Sequence, residues 1–269
     1  MSDINSVKIG FIGYGNMAGS VGAGLISSGA VSADQIYACA GSYDKLCRKT
    51  EAEGSNPCRT SIEVVETCDV IFIGVKPYMV EDVMSPLKDK LQGKIIISLA
   101  ANMLHTALKE IIPDAHYVAT APNTPVSVCE GIFICEEENT LSDEEKAFVD
   151  KLLSNLGTVL WMDSEHLRTA GFLAGCSPAF VAMFIEALGD AACKHGIKRS
   201  AAYSIIAQVL AGTGKMALKS KEHPGMMKDA VCSPAGVTIC GVSALEKNGF
   251  RYALIDAFDQ IEVKANETK

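Results

Sequence analysis

What this sequence lacks narrows it first. It has no excess of positive charge: 24 Lys and Arg against 32 Asp and Glu leave a formal net charge of -8. Without a basic patch, neither nucleic acid nor an anionic membrane surface is an expected partner, and small metabolites fit better. No CxxC pair occurs among Cys39, Cys47, Cys58, Cys68, Cys129, Cys135, Cys176, Cys193, Cys232 and Cys240. The cysteines therefore read as small buried hydrophobes, kept as thiols in a reducing compartment. The five histidines show no HExxH or other ligand spacing, so no metal is expected. A basic leader with an apolar core is missing, and Gly, Ser, Lys or Asp interrupts every apolar run before about 18 residues. A soluble cytoplasmic protein with no membrane span is expected. Proline is scarce, nine in 269 residues, while 48% of the chain is hydrophobic. That is enough for one large core or two modest ones, so two domains are expected.

The organisation changes once along the chain. Val7 to Ile12 is a short apolar run ending at Gly13, Met17 to Ser28 has helical spacing, and Gln35 to Ala40 reads as a second strand, which together make a βαβ unit. Asp69 to Val75, Lys94 to Leu99, His116 to Ala121 and Gly131 to Cys135 continue the pattern as short β-rich runs between polar or helical stretches. Ser142-Asp143-Glu144-Glu145 predicts a capping box, and Thr158 to Met162 the last strand. Beyond Asp163, Glu165 to Gly175, Ala179 to His195, Ser200 to Lys219, Val237 to Asn248 and Phe250 to Val263 all read as helices. The expected fold is α/β: a Rossmann doubly wound, mostly parallel sheet over residues 1–163, then an all-helical domain over 164–269. Ala179 to Ala192 is apolar on nearly every face. Such a helix is buried, against a second subunit or at the centre of its own domain.

Gly13-Tyr14-Gly15-Asn16-Met17-Ala18 is a GxGxxA fingerprint set between a strand and a helix. In that place the first glycine makes the turn, the second lets a pyrophosphate approach the backbone, and Ala18 allows close packing, with the phosphates at the helix N-terminus. An NAD-specific domain carries a carboxylate after its second strand, whereas here the residues are Ala38-Cys39-Ala40-Gly41-Ser42. Ser42, Lys45 and Arg48 would instead attract a 2′-phosphate, which favours NADPH and leaves NADH possible. A solvated helix face is the competing reading of Lys45 and Arg48. Val75-Lys76-Pro77 and Leu99-Ala100-Ala101 close two further strands, at the edge where a doubly wound sheet binds ligands. Plain solvent exposure of Lys76 and simple packing of the small residues are the alternatives there. Ser233 is a candidate N-cap and Pro234 a first-turn residue, so the next N–H groups could hold a carboxylate, or the helix could be an ordinary capped one.

Gly10 to Met17, Val75-Lys76-Pro77, Ser98 to Ala101, Asn123-Thr124-Pro125, Glu130-Gly131, Ser177-Pro178-Ala179-Phe180, Met183 to Ala187, Glu222 to Gly225 and Asp229 to Ile239 together resemble the pyrroline-5-carboxylate reductase family, in the same order and over essentially the whole chain. The resemblance implies reduction of 1-pyrroline-5-carboxylate to L-proline, the last step of proline biosynthesis, with NADPH or sometimes NADH. It implies a homo-oligomer whose helical domains interlock as dimers, often joined into decamers. By position it implies cofactor contacts at Ile12, Gly13, Tyr14, Gly15, Asn16, Met17, Gly74, Val75, Lys76, Pro77, Leu99, Ala100 and Ala101, with Ser42 beside the 2′-phosphate. Substrate contacts would be Ser233, Gly236, Val237 and Thr238, with Thr238 placed one turn into its helix as the catalytic hydroxyl.

Two departures stand out. Ala174-Gly175-Cys176 replaces the family's usual Ser-Gly-Ser, and Ala235 stands where Gly is usual. They bear on substrate range and keep open a reductase of another cyclic imine acid, a β-hydroxyacid dehydrogenase-like enzyme, or a non-catalytic NADP-binding paralogue.

Overall fold

The structure is a computed structural model that describes residues 4–267. In chain order the main elements are β1 (Ile9–Ile12), α1 (Asn16–Ser27), β2 (Ile36–Cys39), α2 (Tyr43–Glu53), β3 (Asn56–Pro57), α3 (Ser61–Thr67), β4 (Val70–Ile73), α4 (Val80–Met84), β5 (Ile95–Ser98), α5 (His105–Ile111), β6 (His116–Pro122), β7 (Gly131–Glu136), α6 (Asp143–Leu153) and β8 (Gly157–Met162). Then follow α7 (Ser164–Lys194), α8 (Arg199–Ser220), α9 (Pro224–Ala230), α10 (Val237–Lys247) and α11 (Phe250–Glu267). The chain divides into two compact units between Pro178 and Ala179, inside α7.

The first unit is a single sheet ordered β3-β2-β1-β4-β5-β6-β7-β8. All pairs are parallel except β6 with β7. Helices cover both faces, so β1 and β4 are buried at every position rather than alternating. Along β4, Val70 and Phe72 face one core with Val21 and Leu25 of α1 and Val149 of α6. Ile71 and Ile73 face the other with Val64 of α3, Met84 of α4 and Leu108 of α5. Phe11 stacks on Phe72 with ring centroids 4.9 Å apart. Each such fully buried side chain contributes about 1.5–3 kcal/mol. The expected capping box closes α6: Ser142 accepts from the Glu145 amide, and the Glu145 carboxylate accepts from the Ser142 amide. β3, only two residues long at the sheet edge, carries no periodicity that a sequence could reveal.

Two expected helices are one. α7 runs through Pro178, although proline has no N–H and ordinarily ends a helix. The carbonyl that Pro178 would have engaged, that of Ala174, instead accepts from the Asn123 side-chain amide at 3.3 Å. Asn123 Oδ1 in turn accepts the Ile132 amide at 3.0 Å, so one side chain repairs the helix and ties it to the start of β7. The joined helix is long and apolar enough to cross a membrane by length and composition, with a mean hydropathy of 1.6 over 18 residues. The run-length reading treated its two halves separately and did not anticipate this.

The second unit is helical from Ala179 on, and includes the short α9, which had not been expected. Among its described residues only Gly189, Ala202 and Ile206 are buried. Val181, Met183, Leu188, Ile205, Val209 and Ile255 lie exposed. Phe184 is half-buried, its ring 6.4 Å from that of Phe250. This unit has almost no core of its own.

Candidate active site

The carboxyl ends of β1, β4 and β5 converge at the point where strand order reverses, which is where open α/β sheets bind ligands. The turn after β1 is fixed from three sides. Gly13 has φ +91, and a Cβ there would lie 2.6 Å from the Val75 amide nitrogen. A Cβ on Gly74 would fall on the Gly13 carbonyl and 2.7 Å from the Ala18 Cβ, so the fingerprint alanine is small because α1 lies directly on the β4 turn. The Gly13 and Tyr14 amides both donate to the Cys39 carbonyl, at 3.0 and 3.1 Å, and neither is left for a ligand. Gly15 is different. Its φ is -81 and extended, which any residue adopts, and a Cβ there would meet nothing within 4 Å. Neither backbone geometry nor the surrounding chain requires glycine here. The space it leaves lies at the uncapped N-terminus of α1, with Asn16 exposed beside it, so the first amides of the helix stand open.

Next to this turn lies a cavity of about 270 Å³, lined by Met17, by Leu99 to Leu104, by Ala119 to Pro122, and by Leu167, Arg168, Gly171, Phe172, Gly175 and Cys176 of α7. Its walls are mostly apolar, which suits a planar ring. The Arg168 guanidinium stands 5.8 Å over the Phe172 ring. Beneath the cavity, the fully buried Glu136 accepts the His105 amide at the start of α5 and the Ser164 hydroxyl at the start of α7, both at 2.6 Å. One carboxylate thus fixes the ends of two segments that border the cavity. Tyr117, adjacent and buried, has its phenol pushed up to about 12 by burial and by the Glu136 charge.

The expected cofactor residues Gly13, Gly15, Met17, Gly74, Leu99, Ala100 and Ala101 come together here. Ile12 and Tyr14 are buried beneath the turn, and Val75 and Pro77 are half-buried. Lys76 is exposed and opens a short 3-10 turn with Pro77. Ser42 is the exposed N-cap of α2 and its hydroxyl makes no capping bond; Lys45 and Arg48 are exposed on the same helix. Thr120, Asn123, Glu136, Arg168 and Phe172 were not singled out as site residues. The Asn123 partner is 51 residues away, and the other four carry no local signal in the sequence.

In the second unit the geometry differs from the sequence reading. The N-cap of α10 is Gly236, not Ser233, and the helix begins at Val237. Pro234 and Ala235 form a turn in which the Gly236 amide donates to the Ser233 carbonyl at 3.0 Å, and Ala235 takes φ +58. Proline suits both the first turn of a helix and the second place of a tight turn, and the turn forms. Thr238 is therefore the second helical residue rather than one turn in. No side chain caps this helix, and Val237 and Thr238 are exposed, which leaves the first amides of the helix open with a hydroxyl beside them.

All ten cysteines are free, and burial pushes Cys39 up to about 11 and Cys68 and Cys135 up to about 12, so these thiols are poor nucleophiles. Among the described residues no cluster of His, Cys, Asp or Glu could hold a metal.

Two family models match: pyrroline-5-carboxylate reductase dimerisation over residues 164–268, and coenzyme F420-dependent NADP oxidoreductase over residues 8–102. The chain is 39% identical over 256 residues to the pyrroline-5-carboxylate reductase of Treponema pallidum, covering 93% of this chain and 97% of the relative. It is 36% identical to that of Escherichia coli, covering 97% of each. A crystal structure of Plasmodium falciparum pyrroline carboxylate reductase with NADP bound superimposes with a TM-score of 0.85 at 28% identity, covering 95% of both chains. One from Coxiella burnetii gives 0.83 at 29%, covering 98% of both.

Proposed function

The chain belongs to the pyrroline-5-carboxylate reductase family, and from that premise we infer that it reduces 1-pyrroline-5-carboxylate to L-proline with NADPH. The observation that carries the reading is Gly15: a glycine whose side-chain space is empty and whose backbone has no need of glycine, two residues before Met17, which lines an apolar cavity. The F420-type NADP oxidoreductase match over residues 8–102 and the NADP-bound Plasmodium relative support the same cofactor.

The division of labour we propose gives residues 1–163, roofed by the first four turns of α7, the dinucleotide, and the rest of residues 164–269 the substrate and the subunit contact. The free amides at the start of α1 hold the pyrophosphate. Ser42, with Lys45 and Arg48, receives the 2′-phosphate and favours NADPH over NADH. Lys76, Pro77 and Leu99 to Ala101 border the rest of the dinucleotide. When bound, the cofactor supplies a hydride to the C=N carbon. The ring nitrogen takes up a proton from solvent as the imine becomes an amine, and the role proposed for the Thr238 hydroxyl is to hold that nitrogen and relay the proton. The open amides of α10 at Val237 and Thr238, behind Ser233 and Gly236, bind the carboxylate.

A second copy of the chain covers the exposed apolar faces of the second unit, which has too small a core to stand alone. That contact, rather than a bilayer, accounts for the apolar surface of α7, and a cytoplasmic homodimer follows. The test compares NADPH oxidation with pyrroline-5-carboxylate, a six-membered cyclic imine acid and a β-hydroxy acid, in the native chain and in Thr238→Val. The five-membered imine acid should be turned over fastest, and the variant should lose about tenfold to a thousandfold in kcat/KM with cofactor affinity unchanged. Preference for either other substrate, or near-native turnover by Thr238→Val, would overturn the assignment.

A further inference from the structure

A cation lies beside the turn after β1, and it comes from a helix that the fingerprint does not include. Lys49, two turns into α2, lays its ammonium against the first turn of α1. Its Nζ is 4.3 Å from the Tyr14 ring centroid and 3.5 Å from the carbonyl oxygen of Gly15, the open glycine of the turn. The place is made for it. A Cβ on Gly19 would fall on the Lys49 Nζ, and one on Gly22 would fall on the Tyr14 hydroxyl, so two glycines inside α1 clear the slot in which the ring and the ammonium lie. Glycine is the poorest helix former after proline, and the pair, three residues apart in α1, leaves open the face on which the ring and the ammonium lie. The ring is locked in turn: Tyr14 donates from its hydroxyl to Glu53 Oε2 at 2.9 Å. Burial and the Glu53 charge hold the phenol well above its ordinary range, so it stays a neutral donor.

The partners found for the Lys49 ammonium are a ring face and a carbonyl, not a carboxylate, and it sits at the positive end of the α1 dipole, which repels a cation. A dianionic group at the open N-terminus reverses both terms. We propose that Lys49 is a cofactor-binding residue that supplies positive charge to the pyrophosphate of the dinucleotide, held in place by Tyr14 and by the absence of side chains at Gly19 and Gly22. The inference rests on the cofactor being seated at Gly15.

The test uses the full chain without substrate and reads binding directly. Dissociation constants of NADPH and NADH are measured by calorimetric titration at low and high salt for the native protein, Lys49→Met, Lys49→Arg and Gly19→Ala, with apo-protein melting as a second readout. Lys49→Met keeps the stem and removes the charge. It should weaken both dinucleotides by the same ~3- to 10-fold at low salt, less at high salt, without lowering the apo melting temperature. Lys49→Arg should restore most of the affinity. Gly19→Ala evicts the ammonium and should reproduce the Lys49→Met loss even though alanine is the better helix former. Unchanged affinity in Lys49→Met overturns the proposal, and weakening confined to NADPH overturns it by moving the charge to the 2′-phosphate. Gly15→Ala separates the two levels of the argument. If it abolishes binding while Lys49→Met does nothing, only the Lys49 inference fails; if it binds normally, the seat of the cofactor was misplaced.

Discussion

Replacing Gly15 with alanine puts the nucleotide site to its most direct trial, because the structure separates the two effects that glycine substitutions usually confound. With φ at -81 in the extended region, alanine enters without strain. With nothing within 4 Å of the new Cβ, it clashes with no part of the protein. The restricted unfolded chain then gives a stability change between zero and a gain of about 1 kcal/mol. The methyl group occupies the volume through which a pyrophosphate would reach the α1 amides, and loss of one such charge-assisted contact, about 1.5–3 kcal/mol, predicts roughly 10- to 100-fold weaker NADPH binding. Gly74→Ala is the control in the opposite sense. Its Cβ meets the Gly13 carbonyl and the Ala18 methyl, neither of which can rotate away, so overpacking should cost about 1–3 kcal/mol of stability as well as cofactor affinity. Fluorescence titration with NADPH and thermal melting of both variants read the two axes. If Gly15→Ala bound NADPH within about threefold of the native protein, or melted well below it, the reasoning would be wrong.

Phe184→Asp puts a charge into the apolar face beside Phe250 and should dissociate the homodimer in sedimentation velocity; an intact dimer would move the interface elsewhere. Glu136→Ala strands the His105 amide and the Ser164 hydroxyl and should cost about 2–5 kcal/mol in denaturant unfolding at fixed protein concentration, whereas a neutral effect would mean that water replaces the carboxylate. Ala235→Gly relieves a φ of +58 and should stabilise the protein by about 1 kcal/mol, unless the turn relaxes when a partner or substrate binds. The buried thiols have folded values above their ordinary 9.0, at about 11 for Cys39 and about 12 for Cys68 and Cys135. Their contribution is full below pH 9 and lost as pH rises toward those values, so melting temperature should fall on the alkaline side, less steeply in Cys68→Ala; an unchanged slope would assign the loss to other groups.

The sheet was legible because its signals are local: short β-branched runs ending at glycine, and a fingerprint lodged between strand and helix. The sequence also carried the position of α10 but not its first residue, since Pro234 suits a turn and a helix start equally. The break expected at Pro178 failed because its remedy is distant, an Asn123 side chain that takes over the freed carbonyl of Ala174. Glu136 was invisible for the same reason, being a carboxylate in a strand whose two donors begin other helices. The glycines of α1 could be counted but not explained, because what fills Gly19 arrives from α2.

The continuity of α7 has a consequence for anyone who would take this enzyme apart. Leu167 belongs to the core beneath the sheet with Ala119 and Ile134, and Gly171 sits so near Ala121 that a Cβ would lie 2.9 Å from its methyl. A nucleotide-binding fragment cut where the strands end, at Asp163, would lose the roof of its cavity, the Ser164 donor to Glu136 and the helix that Asn123 repairs. It would present a bare apolar trough to solvent and tend to precipitate. The modular seam of the molecule therefore lies within a helix, and fragment complementation or chimaera building should carry the first four turns of α7 with the sheet and make the exchange beyond Pro178.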